Sequence, residues 1–295
     1  MKKLLAGALL LFSAAAFAQT KDLEHEFSEF DALVVSNGFK VAVTNDPGYG
    51  AKLTVDDALE NYVQCYVKGK TLYIDMDEKS VPKELKKQYK GKNAPQPVLK
   101  AVVYVPVLNS ITLNDDASFS ALEPIHADNF NLNLTGGTTI QNITVNAKTA
   151  TLGVNKKSSL TLKVTADEIK VTGDGNASMK LDYSAGRLKV ENGGSAELIL
   201  NGDADKVEIS TSHSAQLTLA GKSSSIEVSG KGGSSKVEAS NLSVKEAVIS
   251  LGGATVNVTP SDKLELDLSK GATVNFSGNP QIKLVKIQNA TVTRR

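Results

Sequence analysis

Apolar and polar residues alternate along most of this chain from residue 27 onward. Such alternation marks strands with one buried face. "FDALVVSNGFKVAVTND" (Phe30–Asp46) alternates on both sides of Asn37-Gly38. An Asn-Gly pair between two such runs predicts a hairpin, because both residues tolerate positive φ. "AKLTVDD", "YVQCYVKGKTLYIDMD" and "LKAVVYVPVL" predict further strands, with a tight turn at Lys68-Gly69-Lys70. One stretch breaks the pattern: "SVPKELKKQYKGKNAPQP" (80–97) is polar and lysine-rich. There Ser80 is expected to cap a short helix with Pro82 in its first turn, and Gly91 to end it.

Beyond Leu108 the alternation becomes periodic. The small residues Ala117, Thr138, Ser158, Ala177, Ala196, Ala215, Ser234, Ala254 and Ala272 follow at spacings of 21, 20, 19, 19, 19, 19, 20 and 18. Six residues ahead of a small residue stands an apolar one: Leu132, Leu152, Val171, Val190, Ile209 and Val228. Two residues after it stands another: Ile140, Leu160, Met179, Leu198, Leu217, Val256 and Val274, with Lys236 as the exception. An antiparallel sandwich shows turn signals every eight to twelve residues, but not one residue class held at one position through repeat after repeat. A coil that returns to the same place each turn does, and each turn stacks about 4.8 Å above the last.

The expected fold is therefore all-β: a parallel β-helix, or β-solenoid, of about nine turns with an N-terminal β capping region. Right-handed winding is favoured because parallel crossovers are right-handed. The expected organisation is a leader at 1–18, an N-terminal β region at 27–108 carrying the Lys-rich loop 80–97, and solenoid repeats of about 19 residues at 109–295. The N-terminal region is placed to cover the first turn, and "KIQNATVTRR" closes the other end with two arginines that discourage end-to-end pairing. The stretch "VENGGSAELIL" (Val190–Leu200) then reads as a coil corner. A phosphate loop is a single device that opens a helix; this segment leads into another strand-like run.

The segments "VSNGFKVAV", "GKTLYIDMD" and "VYVPVLNSI", in that order and followed by coils rich in glycine and small residues, carry a resemblance. Over roughly residues 27 to 290 the chain resembles the head GIN domain family, putative auto-transporter adhesins abundant in Bacteroidetes. The resemblance implies a parallel β-helical structure and an adhesin-like role. It carries over no catalytic residue set.

Composition narrows the function classes. Lys2 and Lys3, the apolar run Leu4–Leu11 and the small residues of Ala16-Phe17-Ala18 predict a secretory signal peptide, with cleavage expected after Ala18. No cysteine follows the apolar run, so a lipoprotein attachment site is not expected, and no transmembrane segment is expected in the mature chain. Removing Lys2 and Lys3 takes 33 basic residues to 31 against 32 acidic ones, a net charge of −1. That balance gives no reason to expect nucleic acid or an anionic membrane as a partner. Residues 109–295 hold 19 basic and 19 acidic residues and only four aromatics, so they offer no stacking platform for sugars. Cys65 is the single cysteine and reads as a small buried residue in a strand.

Asn114-Asp115-Asp116 is the best acidic cluster, at a corner where Asn and Asp are expected for backbone reasons. "GDGNAS" (Gly173–Ser178) resembles a calcium turn but occurs once. His25, His126 and His213 lack partners at metal-ligand spacing. Lys83, Lys86, Lys87, Lys90 and Lys92 form an anion-binding candidate that also suits a solvated loop. Outward ladders are expected of Lys170, Lys189, Glu208 and Glu227 along one face, and of Thr139, Ser159, Ser178, Glu197, Gln216 and Ser235 along another.

The expected protein is an exported, non-enzymatic cell-envelope or surface protein that binds an extracellular glycan or surface protein, adhesin-like, through a repetitive surface. The alternatives are a pectinase-like carbohydrate-active β-helix enzyme and a structural or accessory periplasmic protein. No catalytic, cofactor-binding or metal residue is assigned, and no cofactor is called for. The ligand-binding residues, the oligomeric state and the choice among periplasm, cell surface and secretion are left open.

Overall fold

The structure, a computed structural model, describes residues 19–92 and 94–295. The leader expected at 1–18 lies outside the described residues. Strands β1 (Thr20–Glu26), β2 (Ala32–Val35), β3 (Lys40–Thr44) and β4 (Gly50–Asp56) are followed by β5 (Val63–Lys68), β6 (Thr71–Met76) and β7 (Leu99–Tyr104). A 3-10 turn (Asp57–Tyr62) and helix α1 (Lys83–Gln88) interrupt them. The coils continue through β8 (Ser110–Leu113), β9 (Ser118–Ala121), β10 (Ile125–Leu134), β11 (Thr139–Val154), β12 (Ser159–Gly173), β13 (Ser178–Asn192) and β14 (Glu197–Thr211). They close with β15 (Gln216–Lys231), β16 (Lys236–Gly252), β17 (Thr255–Ser269), β18 (Thr273–Phe276), β19 (Gln281–Gln288) and β20 (Thr291–Arg294). Helix makes up about 4% of the chain, and the parallel stacked coils form a β-solenoid of about ten turns.

Successive coils pair in parallel and in register. Val171 lies beside Val190, Val190 beside Ile209, and Ile209 beside Val228. Each residue type therefore recurs directly above its equivalent, which is why the repeat survives from sequence into space. The inward columns, such as Leu160, Met179, Leu198 and Leu217, are all buried.

The Gly193–Ala196 corner of "VENGGSAELIL" shows what the small residues do. Gly194 has φ +61, and a Cβ there would lie 2.6 Å from the backbone nitrogen of Gly175 in the coil below. The corner backbone is itself stacked: Gly193 N–H donates to the Gly173 carbonyl at 2.9 Å, and Ser195 N–H to the Gly175 carbonyl at 2.7 Å. Ala196 is fully buried and turns the chain inward. In the next coil His213 takes the same left-handed conformation at φ 59, so the corner is a backbone requirement shared along the stack.

Three local expectations are corrected. Asn37 (φ 55) and Gly38 (φ 73) do form a tight turn, but β2 and β3 are not a hairpin. Strand β2 pairs in parallel with β6 and β8, and β3 with β7 and β9, so the turn is a coil corner. The stack thus runs through the change of composition at residue 108, with Leu33 beside Ile111.

Second, Ser234 is exposed and Ser235 is the buried small residue. An extra residue in the Lys231–Ser234 corner shifts the repeat, so Val237 fills the inward position and Lys236 faces out beside Gln216. Lys236, not Ser235, therefore continues the outward ladder.

Third, Ser80 does not cap α1. Its hydroxyl donates to Asp77 Oδ2 at 2.6 Å, Pro82 occupies the cap position, and the helix ends at Tyr89. The turn after Lys68 is a true hairpin, because β5 and β6 are antiparallel with Lys68 opposite Thr71.

Candidate functional site

Three outward ladders run side by side along the sheet formed by the second half of each coil. The first is Glu168, Arg187, Lys206 and Ser225; the second is Lys170, Lys189, Glu208 and Glu227; the third is Thr172, Glu191, Ser210 and Ser229. Adjacent members of a ladder are one strand spacing apart, about 4.8 Å. The second ladder is the one expected from the period, and the structure brings it together. The flanking ladders stand two residues before and after it on the same 19-residue repeat, which is the signal that locates them.

The charges pair with one another across the ladders. Arg187 Nη2 donates to Glu208 at 2.6 and 2.8 Å, and Lys206 Nζ contacts Glu208 and Glu227, each at 2.8 Å. Lys170 and Lys189 both approach Glu191, at 3.4 and 3.6 Å. The Lys206 ammonium and the Arg187 guanidinium beside Glu208 hold its carboxyl below the usual carboxylate range. Isolated surface pairs add little stability, and their effect here is to fix long side chains in place.

Beside the charged ladder runs a shallow groove of about 330 Å³ bordered by Lys189, Glu208, Glu227, Ser210, Ser229 and Ser250. Val190, Ile209, Val228 and Val248 also line it. Ser229 Oγ donates to the Ile209 carbonyl at 3.1 Å. The strip offers repeated donors and acceptors to an extended polar ligand lying along the column, and no aromatic ring borders it.

On the other sheet Thr139, Ser159, Ser178, Glu197, Gln216 and Lys236 align as a second polar face. Farther along, an amide column forms: Asn257 Nδ2 donates to Glu238 at 2.6 Å, and Asn275 Nδ2 to Asn257 Oδ1 at 2.8 Å.

The remaining candidates fall elsewhere. Asp115 (φ 49) and Asp116 (φ 62) hold a coil corner. They border a hollow of about 680 Å³ together with Lys40, Lys86, Lys90 and Glu78. Two groups far apart in sequence, the acidic corner and the lysine-rich helix, thus border the same hollow. Lys87 pairs with Glu84 at 2.9 Å. "GDGNAS" forms the corner beneath Gly193-Gly194. His25, His126 and His213 lie on β1, β10 and a corner, and among the described residues no group of three His, Cys, Asp or Glu is placed to hold a metal ion. Cys65 is partly buried, and burial pushes its thiol up to about 12.

A family model described as "putative auto-transporter adhesin, head GIN domain" matches residues 29–183 and 165–280. No curated protein matches the chain. The fold is that of a putative adhesin from Parabacteroides distasonis ATCC 8503, at 17% identity and a TM-score of 0.51, covering 94% of this chain and 98% of that one. A putative lipid binding protein from the same strain aligns more loosely, with a TM-score of 0.48 at 16% identity over 94% of this chain and 96% of that one.

Proposed function

From the premise that this chain belongs to the head GIN domain family, we propose that it is an exported, non-enzymatic surface protein. It binds an extended glycan or protein segment weakly at many points along the ladder face. The observation that carries this reading is the in-register alignment of the three ladders around the serine groove. Repetition converts weak contacts into useful affinity when a polymer engages several equivalent positions at once.

The test is a glycan and matrix-protein binding screen of residues 19–295, followed by Ser210→Arg/Ser229→Arg on the best hit. The substitutions fill the groove and should weaken binding at least tenfold, while Thr218→Arg on the opposite sheet should leave it unchanged. No hit in any class, or a hit indifferent to the groove, defeats the reading. Cell fractionation with a surface protease tests the location.

A second reading, a carbohydrate-active enzyme, rests on the hollow that holds Asp115, Asp116 and Lys40. Release of reducing ends from a polysaccharide panel, abolished by Asp116→Asn, would support it; an inert protein would remove it.

A further inference from the structure

The two ends of the column differ. At the base, Leu59 of the 3-10 turn and Val81 of the segment joining β6 to β7 are buried, Leu85 and Tyr89 pack against them, and the edge strand β5 keeps its inward Val63, Cys65 and Val67 partly buried. At the top, among the described residues, β19 pairs only with β17. Its other edge presents unpaired backbone donors and acceptors. The side chains of its inward positions, Ile282, Leu284 and Ile287, stack on buried Leu264, Leu266 and Leu268 and yet are themselves 40% to 62% exposed. Inward-facing apolar residues on an open edge form an unfinished layer of core.

We propose that the outer edge of β19 receives an extended strand from a partner chain in which acidic and apolar residues alternate. The template is the strand on its other edge. In β17, Glu265 lies opposite Lys283 and Asp267 opposite Lys286, while Leu264, Leu266 and Leu268 fill the layer between. Lys283 Nζ reaches Glu265 at 3.2 Å. A strand of the same character on the free edge meets the same two lysines, covers the same leucine-type layer and completes the backbone ladder.

The charges select against the other occupants. Residues 281–295 carry Lys283, Lys286, Arg294 and Arg295 and no acidic residue. Two copies joined antiparallel through β19 would set Lys283 against Lys286, a like-charge contact that disfavours the pair. Head-to-tail stacking would set β19 against the free edge of β5, which carries Lys68 and no acidic residue to meet Lys283 and Lys286. A bilayer would take the apolar side chains but leave the edge N–H and C=O groups without partners. Edge lysines block self-pairing and still admit an acidic strand.

The test uses fluorescence anisotropy of residues 19–295 with a labelled peptide, Ser-Asp-Lys-Leu-Glu-Leu-Asp-Leu-Ser, which copies residues 261–269. Saturable binding is expected, weakening with salt, and reduced at least tenfold when the positions of Glu265 and Asp267 in the peptide are made lysine. Because the reversal sits in the peptide, the protein's folding is untouched. Leu284→Asp in the protein should also abolish binding while Ser229→Arg, in the ladder groove, should not. Absence of saturable binding, or equal affinity for the lysine peptide, overturns the proposal. So does self-association in sedimentation that Leu284→Asp abolishes, or binding to phosphatidylglycerol vesicles through this end in place of the peptide.

Discussion

Arg187 and Glu208 sit on adjacent coils, and the Nη2 of Arg187 donates to both oxygens of the Glu208 carboxylate, at 2.6 and 2.8 Å. The pair is diagonal. In register, Arg187 lies beside Lys206 and Glu208 beside Lys189. The bond therefore ties two ladders together as well as two coils, and Lys206 extends it to Glu227.

This arrangement makes stability depend on pH in a definite direction. Hydrogen bonds from Lys206 and then Arg187 depress the Glu208 pKa. Its contribution is therefore complete above the unfolded-state value of about 4.3 and is lost as pH falls through the lower folded value. Glu208→Gln should lower Tm by about 2 °C at pH 7. Calorimetry across an acid series should show that difference vanish at the acid end; a constant difference would contradict the assignment.

Gly202 (φ +155) and Gly221 (φ +121) stack on neighbouring coils, where a Cβ on Gly202 would strike the Tyr183 carbonyl and one on Gly221 the Gly202 carbonyl. Gly202→Ala should cost about 2 kcal/mol or more, through strain and displaced backbone. Gly69→Ala, in a hairpin with φ +64 and open surroundings, should cost about 1 kcal/mol. Urea denaturation of the two variants gives the comparison, and equal losses would show that stacking imposes no extra demand.

Thr211 is buried with an unpartnered hydroxyl, between Asn192 below and Gly230 above. Replacing it with the isosteric valine removes a desolvated polar group and no hydrogen bond. Thr211→Val should be neutral or more stable by about 1 kcal/mol. A clear loss of stability would mean the hydroxyl is satisfied in solution, by water for instance.

Cys65 faces inward beside Ile74, and burial raises its thiol to about 12. Its neutral form is stabilised by folding, so this contribution is full below the unfolded value of about 8.5 and declines as pH rises toward 12. Alkylation by iodoacetamide at pH 8 should be at least tenfold slower in native protein than in urea. Rapid native labelling would mean the thiol is open to solvent.

The periodic part of the fold was legible because parallel, in-register stacking carries a sequence period straight into space. Val190 above Val171, and Glu208 above Lys189, follow from counting 19 residues. The ladder of Lys170, Lys189, Glu208 and Glu227 was readable for the same reason. Arg187 and Lys206 obey the same count, two residues ahead of that ladder.

What counting could not reach were the places where the partner strand lies outside the repeat. Asn37-Gly38 has the same positive-φ turn whether it closes a hairpin or a coil corner; β6 and β8, distant in sequence, decide which. The extra residue before Ser235 is absorbed by Gly232 and Gly233, so only burial shows that Ser235, and not Ser234, faces the core. That Asp115 and Asp116 border the same hollow as Lys86 and Lys90 depends on how the segment joining β6 to β7 lies against the β8–β9 corner. Sequence by itself determined the repeating unit, because alternation and small corner residues are local. Tertiary structure decided how the irregular ends join it, because those strands are chosen by which long-range edge completes their backbone hydrogen bonds and buries their apolar faces.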